Sequence, residues 1–371
     1  MPQQQPTVCF VIPTRDRSAE LERTLAAIGR LPVAGEVLVV DNGSASPVLA
    51  PGSLPNGLPV RLECLPFNEG AGARNRVIDH TDADWIVMLD DDSHPTDARF
   101  LDALAEAPDT AFAISADIFL PNAGTREMGG LPEVFIGCGV AFRREAFEEL
   151  GGYDASFGYY AEEYDLAARI LLAGGSVLFD PRFRVDHFKV AAGRDMNIIV
   201  ERLVRNNGWV MQRYAPESDR RAQLREIRGR CRFIADREDA RYGLGRGLVE
   251  LRRTINAQRR RPMPAPLFDR FTGLAAAREA LQRAYASDRF ATACVVDTGK
   301  NAWCVERALD ELGVARAAES DADSLVIGTM SPGPMLDAAA RRAGSHRRVI
   351  APWTIADSAV SASHGAAALA G

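Results

Sequence analysis

The sequence predicts an α/β protein with a parallel main sheet, and three observations favour this class. Short apolar runs rich in β-branched residues recur between residues 7 and 92. Helical patterns separate several of these runs, and the crossovers have the length that parallel strands require. Polar residues follow the apolar runs, at the carboxyl ends of the strands, where ligands gather in such sheets.

The first elements follow the order strand, helix, strand, strand, helix, strand. The first strand is apolar throughout, as expected of a strand buried on both faces. Ser18 can cap the first helix, whose leucines recur at helical spacing. Glycines open the second helix. Strands are predicted at 7–14, 35–44, 58–66 and 83–92, and the second helix at 70–80.

From about residue 96 the pattern becomes mixed, with a strand at 111–120, a helix at 161–175 and a strand pair at 176–188. Arginine-rich helices follow, and their charges predict a solvated face. A second small α/β unit then repeats strand, glycine turn and helix, a geometry that can cradle phosphate. The predicted divisions are a first domain at 1–215, a helical extension at 216–265, a small α/β domain at 266–360 and a disordered tail at 361–371.

Composition excludes several classes of protein. The chain has 371 residues and a net charge of −6, so it is not built to coat nucleic acid or an anionic membrane. We expect no signal peptide and no transmembrane segment, and hence a cytoplasmic protein. The six cysteines are scattered without a CxxC pair, which favours reduced, buried thiols over disulfides or a zinc site.

The segment "WIVMLDDDSHP" at residues 85–95 brings Asp90, Asp91 and Asp92 to the end of one predicted strand. Like charges at a buried strand end raise one another's pKa and destabilise the fold unless a cation is present. Oxygen ligands of this kind suit Mg²⁺ or Mn²⁺. The alternative is a solvated acidic turn that caps a following helix, since Pro95 and Thr96 are typical of a helix start.

Several further motifs occur in a fixed order with the aspartates. They are "CFVIPTRDR", "VLVVDNGS", "NEGAGARN", "MLDDD", "GCGVAFRREAFEELGGYD", "YYAEEYDLAARI" and "DHF". Together they resemble the family 2 glycosyltransferases, inverting enzymes that use nucleotide-diphosphate sugars. The resemblance covers roughly residues 5–215. It implies a GT-A fold, a Rossmann-like nucleotide-diphospho-sugar transferase sheet, here with a helical extension and a small C-terminal Rossmann-like domain.

The resemblance implies a DxD motif in "LDDD". Asp92 would coordinate Mn²⁺ or Mg²⁺ on the donor pyrophosphate, and Asp90 would contact the ribose. Asp91 lies between them and is assigned to the donor site. His187 in "VDHF" matches a further metal ligand of some family members, although a lone histidine at a strand end is often structural.

Two other motifs resemble the nucleotide pocket of the family. Pro13, Thr14 and Arg15 match the first turn that lines this pocket. Asp41 in "VVDNGS" would accept hydrogen bonds from the base or ribose, and the alternative is a plain Asx turn.

The glycine-rich segment "NEGAGARN" resembles a third part of the donor site. Asn68, Gly70 and Gly72 would let the backbone approach the donor, and Arg74 would face its phosphates or base. The alternative is a glycine-rich helix start with an arginine on the surface.

The segment "AEEYDLAARI" resembles the family's catalytic element. Inverting displacement needs a base beside the acceptor hydroxyl. Glu163 stands where the family usually has an aspartate, and Glu162 precedes it, so the choice between the two stays open. A solvated helix N-terminus is the alternative, because acids are favoured there. Cys138 in "GCG" is expected to pack rather than react.

The leading hypothesis is a metal-dependent, inverting transferase for a nucleotide-diphosphate sugar donor and a small-molecule or glycan acceptor. A sugar-phosphate nucleotidyltransferase would need a glycine-rich loop with a lysine after the first strand, and "IPTRDRSAEL" has none. A non-catalytic binding or scaffold protein need not keep every acid of the site. The C-terminal unit can bind an acceptor, a partner or a second copy of the chain as a homo-oligomer, or serve as a scaffold without a ligand.

Overall fold

The structure of the protein is a computed structural model that describes residues 5–189 and 195–355. Within these residues it has one mixed sheet of nine strands and one parallel sheet of four strands. The predicted α/β class, the helical extension and the second small α/β sheet are confirmed. The predicted tail at 361–371 lies outside the described residues.

Most strands of the two sheets coincide with apolar runs of the sequence. In the large sheet the strands are β1 (Val8–Thr14), β2 (Gly35–Asp41), β3 (Val60–Cys64), β4 (Trp85–Met88), β5 (Ser93–Pro95), β6 (Ala111–Leu120), β7 (Thr125–Arg126), β8 (Val140–Arg143) and β9 (Ser176–His187). In the small sheet they are β10 (Thr292–Val296), β11 (Ala315–Arg316), β12 (Ser324–Ile327) and β13 (Arg348–Ile350). Strands β5, β7 and β11 are short and not apolar.

The helices lie between the strands and in a block between the two sheets. They are α1 (Ser18–Ile28), α2 (Phe100–Ala105), α3 (Arg144–Glu149), α4 (Glu162–Leu172), α5 (Met196–Tyr214), α6 (Glu217–Arg237), α7 (Arg241–Thr254), α8 (Ala265–Thr272), α9 (Leu274–Ser287), α10 (Ala302–Glu311) and α11 (Pro332–Arg342). Three 3-10 helices lie at Gly70–Asp79, Ala155–Phe157 and Ile255–Ala257.

The large sheet has the strand order β3-β2-β1-β4-β8-β6-β9-β5, with β7 beside β6. The first four strands are parallel, as predicted, whereas β8 runs antiparallel to both β4 and β6. Alternate residues of β1 enter separate apolar clusters on the two faces: Val11 lies in one cluster, and Phe10 and Ile12 in the other. The parallel half is therefore buried on both faces, which explains its uninterrupted apolar sequences.

The predicted strand pair at 176–188 is instead the single strand β9. Its register against β6 jumps between Asp180 and Arg184. Pro181 lies in the skipped stretch, and proline has no N–H to donate to a sheet. The sequence signal for two strands was therefore a local break in pairing within one.

The predicted helix at 70–80 is a 3-10 helix, Gly70–Asp79. Its glycines make room for a neighbouring loop, because a Cβ on Gly72 would stand 2.9 Å from the Cβ of Ala155. The glycine-rich sequence therefore allows the 3-10 helix to pack closely against the loop that contains Ala155.

The apolar cluster on one face of the large sheet continues through the helical block into the small sheet, where it includes Ala293 and Val326. Helix α5, which the predicted boundary at 215 assigns to the first domain, packs against α6 and α7 as well as α4. No break in apolar packing separates the two sheets within the described residues.

All six cysteines are free thiols, with Cys9 buried and Cys294 partly buried. In the part of the chain that the structure describes, no helix combines the length and apolarity needed to cross a membrane.

Candidate active site

The carboxyl ends of β1, β2 and β4 meet at one edge of the sheet. Thr14 ends β1 directly opposite Asp41 of β2. The Thr14 hydroxyl donates a hydrogen bond of 2.8 Å to Oδ2 of Asp91, just beyond β4. Thr24 of α1 donates another, also 2.8 Å, to the backbone oxygen of Asp91. The convergence predicted from the strand ends is therefore present.

Each of the three aspartates has a basic partner. Arg74 forms an ion pair with Asp90. Arg17 lies 3.2 Å from Oδ1 of Asp91 through Nη1, and its Nη2 pairs with Asp92. The two arginines offset part of the repulsion that the sequence predicts. Arg17 was missed because it precedes α1, far along the chain from the acids it contacts.

The pKa values of Asp91 and Asp92 move in opposite directions. Burial raises the pKa of Asp91 to about 7, although Arg17 and Thr14 act against it. Burial also raises the pKa of Asp92, but His187 and Arg17 outweigh it and hold the pKa well below its usual range. Asp92 is therefore ionised at neutral pH, and Asp91 is partly protonated.

A group of potential metal ligands lies beside these acids. One ligand atom each of Asp90, Cys138 and His187 lies within 4.8 Å of the others. Oδ1 of Asp92 is buried and lies 3.2 Å from Nε2 of His187, and it has no hydrogen-bond partner among the described residues. A buried carboxylate oxygen without a hydrogen bond, beside an imidazole, fits a divalent cation. Burial raises the pKa of the Cys138 thiol, which favours packing over a thiolate ligand.

Glu127 contacts the imidazole of His187, and Lys189 contacts Glu127; the sequence analysis missed both residues. Nδ1 of His187 lies 3.1 Å from Oε2 of Glu127, and Lys189 donates to Oε1 of Glu127 at 2.8 Å. Burial raises the pKa of Glu127, but His187 and Lys189 outweigh it and lower the pKa. Such a carboxylate fixes the orientation of a metal-binding histidine. Lys189 follows His187 by two residues, so the sequence could have suggested that the two lie close together. The segment "TREMGG", which contains Glu127, has no feature that predicts a contact with His187.

A cavity of about 230 Å³ opens at this sheet edge, and a groove of about 630 Å³ has Tyr159 in common with it. Most of the residues assigned to the donor site line one or the other. The cavity is lined by Pro13, Thr14, Arg15, Arg17, Asn42, Arg74, Asp90, Asp91 and Tyr159. The groove is lined by Phe67, Asn68, Glu69, Gly70, Ala155, Gly158, Tyr159 and Arg202.

Asp41 lies at the predicted turn but does not line the cavity. Its Oδ1 accepts a hydrogen bond of 2.9 Å from the backbone N–H of Ser44, three residues on, so this carboxylate bonds within the local turn. Asn42 lines the cavity instead. Its Nδ2 donates to the backbone oxygen of Gly70 at 3.0 Å and to the hydroxyl of Tyr159 at 3.3 Å.

The segment around Gly70 is shaped by its own neighbours. Asn68 accepts hydrogen bonds from the backbone of Gly70 at 2.8 Å and from Tyr159 at 3.2 Å. Gly70 has a φ of +65°, and a Cβ there would stand 2.5 Å from the backbone oxygen of Gly158. Glycine is therefore required for close packing against this loop.

Glu162 and Glu163 open helix α4, directly after Ala161, whose φ is +68°. Oε2 of Glu162 is buried without a hydrogen-bond partner. Oε1 of Glu163 lies 3.5 Å from where a Cβ on Gly137 would stand. Burial raises the pKa of both carboxyls; the charge of Glu163 raises that of Glu162 further, and Arg74 acts against the rise in both. A raised pKa makes the ionised carboxylate a stronger proton acceptor, which suits a general base.

The loop before α4 is held by Asn206 of α5. Its side-chain Nδ2 lies 3.0 Å, 2.9 Å and 2.6 Å from the backbone oxygens of Phe157, Tyr159 and Tyr160. Positive φ at Tyr160 and Ala161 is costly for side chains other than glycine, so outside contacts must maintain it. Asn206 supplies these contacts.

Comparison with known proteins gives one sequence-family match. Residues 9–131 match the profile described as "Glycosyl transferase family 2". None of the curated proteins compared with the chain matches it.

Several solved structures are similar at low identity. The chain is 19% identical to the mannosyltransferase PcManGT from Pyrobaculum calidifontis in complex with GDP-Man and Mn²⁺, covering 84% of this chain and 88% of that one, with a TM-score of 0.46. It is 16% identical to GalNAc-T7 with UDP, GalNAc and Mn²⁺, covering 63% and 56%, with a TM-score of 0.48. For S. aureus TarS 1–349 with UDP the identity is 15%, the coverage 76% and 87%, and the TM-score 0.47. These values are too low to support an argument about substrate or mechanism.

Proposed function

The chain carries a family 2 glycosyltransferase segment at residues 9–131, and from this premise we propose a metal-dependent, inverting transfer reaction. A sugar moves from a nucleoside-diphosphate donor to a hydroxyl of a small-molecule or glycan acceptor. The observation that carries the proposal is the pairing of Asp92 with His187 beside the cavity, where a buried carboxylate oxygen has no hydrogen-bond partner.

In this proposal Asp92 and His187 would hold the cation, together with Asp90, which has a ligand atom within 4.8 Å of one on His187. When bound, Mn²⁺ or Mg²⁺ would neutralise the charge of the departing diphosphate. Arg15 and Arg74 line the cavity and supply further positive charge for the donor's phosphates. The cavity therefore joins a candidate cation site to basic side chains, which is the chemistry that a nucleoside diphosphate needs.

The acceptor reacts on the opposite face of the donor sugar. Its hydroxyl oxygen bonds to the anomeric carbon while the bond from that carbon to the diphosphate oxygen breaks, so the configuration inverts. Glu163 accepts the proton of the hydroxyl in our assignment, and Glu162 is the second candidate. The raised pKa of this pair keeps a carboxylate basic enough to accept a proton.

Thermal stability against a panel of donors tests the proposal. UDP-, GDP-, dTDP- and ADP-sugars are added with Mn²⁺ and then with EDTA. A ligand that binds only the folded state stabilises by about 2.7 kcal/mol at a hundredfold excess over Kd. We expect one nucleotide class to raise the melting temperature and EDTA to remove the increase. No shift with any donor would contradict the proposal and favour a scaffold role.

A further inference from the structure

We infer that Lys300, which the C-terminal unit supplies, belongs to the active site and acts there as a positioning residue for Glu163. The inference rests on the proposed transfer reaction. It gives the C-terminal unit, β10 to β13 with α10 and α11, a part in catalysis beyond that of a scaffold.

The C-terminal unit is fixed to the large sheet close to the candidate metal group. Arg126 at the end of β7 lies 2.8 Å from Oδ1 of Asp337 in α11 through Nη1, and its backbone N–H donates to the same carboxylate. The backbone N–H of Gly129 donates to the hydroxyl of Ser331 at 3.1 Å. These contacts flank Glu127, which contacts the imidazole of His187, so the C-terminal unit touches the large sheet beside the candidate metal group.

The backbone around Lys300 is fixed by the two glycine turns that the sequence analysis identified. The N–H of Gly299 donates to the oxygen of Gly328 at 2.8 Å, and the N–H of Met330 donates to the oxygen of Lys300 at 2.9 Å. The turns after β10 and β12 therefore brace each other. These hydrogen bonds fix the backbone of Lys300, so its side chain extends from a defined position.

The ammonium group of Lys300 lies 4.6 Å from the ring centre of Tyr164, the residue that follows Glu163 in α4. Among the described residues no carboxylate oxygen lies within the 4.0 Å of an ion pair with it. A partly buried cation without such a partner is costly. Its residue type is also unusual in this chain, because only Lys189 and Lys300 are lysines among 44 basic residues.

The charges of Lys300 and Glu163 act on each other. Burial and the charge of Arg230 lower the pKa of Lys300 to about 7, and the charges of Glu163 and Glu226 act against this decrease. Burial raises the pKa of Glu163, and the charges of Arg74 and Lys300 act against that increase. The other titratable groups facing this pair are Tyr153, Glu162, Tyr164, Glu226 and Arg230.

The protonated lysine therefore helps Glu163 to lose its proton. The effect is present below about pH 7, where Lys300 is charged, and it fades above that pH as the lysine becomes neutral. Arginine would stay charged throughout this range. A lysine at this position ties the ionisation of the base to a residue of the other unit.

The test compares Lys300→Met and Lys300→Arg with wild type. The measured quantity is kcat for release of nucleoside diphosphate from the sugar donor found by thermal shift, with water as acceptor, from about pH 5.5 to pH 9. We expect Lys300→Met to lose about tenfold or more at the acidic end and little at the alkaline end, since a shift of one pKa unit is a tenfold change in ionisation. Lys300→Arg should keep the acidic limb near that of wild type.

Arg307→Met is the matched control, because it removes an exposed cation from the same unit, on α10. It should leave the profile unchanged. If Lys300→Met lowers kcat equally at all pH values, or does not lower it, the inference is overturned. Turnover by wild type would still support the proposed function in that case. Absence of both donor binding and turnover in wild type would overturn the proposed function, and the inference with it.

Discussion

Asp92 lies between Arg17 and the imidazole of His187, and among the described residues one of its oxygens has no hydrogen-bond partner. Arg17 pairs with Oδ2, and Nε2 of His187 lies 3.2 Å from Oδ1. The arginine stabilises the carboxylate whether or not a metal is bound. The free lone pairs on Oδ1 are what a divalent cation would use. At the scale of single residues, this oxygen is the feature that separates a metal site from a simple ion-pair network.

Replacing Asp92 by Asn should abolish metal-dependent turnover and leave the fold intact. The amide is neutral and a poor ligand for a hard cation, while it fills the same volume. The measurement is nucleoside-diphosphate release with and without Mn²⁺, alongside far-UV circular dichroism. Asp109→Asn is the matched control, since Asp109 is fully exposed and 3.9 Å from Arg143. Full activity of Asp92→Asn would refute the site assignment.

Glu163→Gln should lower kcat far more than it weakens donor binding, because glutamine keeps the shape but cannot accept the proton. A decrease in kcat of about a hundredfold or more is expected of a lost general base. Glu162→Gln is the neighbouring comparison. If only Glu162→Gln shows the decrease, the base is Glu162. Donor titration by thermal shift separates binding from catalysis.

At the scale of elements, α5 carries a role that no local motif indicated. Asn206 is fully buried and donates to three backbone carbonyl groups of the loop before α4, those of Phe157, Tyr159 and Tyr160. These bonds hold Tyr160 and Ala161 at positive φ and so fix where α4 begins. The position of Glu162 and Glu163 thus depends on a helix that follows them in the sequence.

Asn206→Ala should destabilise the protein by about 3 kcal/mol, because it leaves buried carbonyl groups without donors. It should also lower kcat, since the base would lose its fixed position. Chemical denaturation and kcat measure the two effects. Asn207→Ala is the matched control, because the one bond of Asn207 Nδ2 among the described residues is to the backbone oxygen of Leu203, within α5. If Asn206→Ala loses no more stability and kcat than Asn207→Ala, the loop keeps its conformation without Asn206.

Elements were predictable where a single local pattern decided them. Segment 7–14 became β1 and segment 83–92 contains β4, because continuous apolar runs have one stable location in a parallel sheet. The winding of the 3-10 helix and the continuity of β9 depend on neighbours distant in sequence. Propensity carries no information about such contacts.

At the scale of the whole molecule, residues 9–131 match the predicted family, and the mixed sheet with a small C-terminal sheet confirms the predicted α/β class. The apolar core runs from the large sheet into the small one. The Arg126–Asp337 pair adds a polar link across the same contact, and Asp117 also bonds Arg126 at 2.7 Å. We expect both units to unfold in one transition.

Asp337→Ala should lower the free energy of unfolding by about 1–3 kcal/mol, because it removes charged hydrogen bonds from a partly buried site. Asp310→Ala removes an exposed acid from the same unit and should cost less than about 1 kcal/mol. Denaturant titration with two optical probes measures both. Two separate transitions in wild type would contradict a shared core.

The sequence by itself determined which residues stand at the strand ends. Thr14 and the aspartates 90–92 meet where the apolar runs end. The local pattern of hydrophobic residues predicts which segments are buried strands and where those strands end. The tertiary structure decided the counter-charges: Arg17 for Asp92, Glu127 for His187 and Lys300 for Glu163. These partners come from other elements, and their approach depends on packing between distant segments. Periodicity along the chain records which way a side chain faces, and the fold determines what it faces.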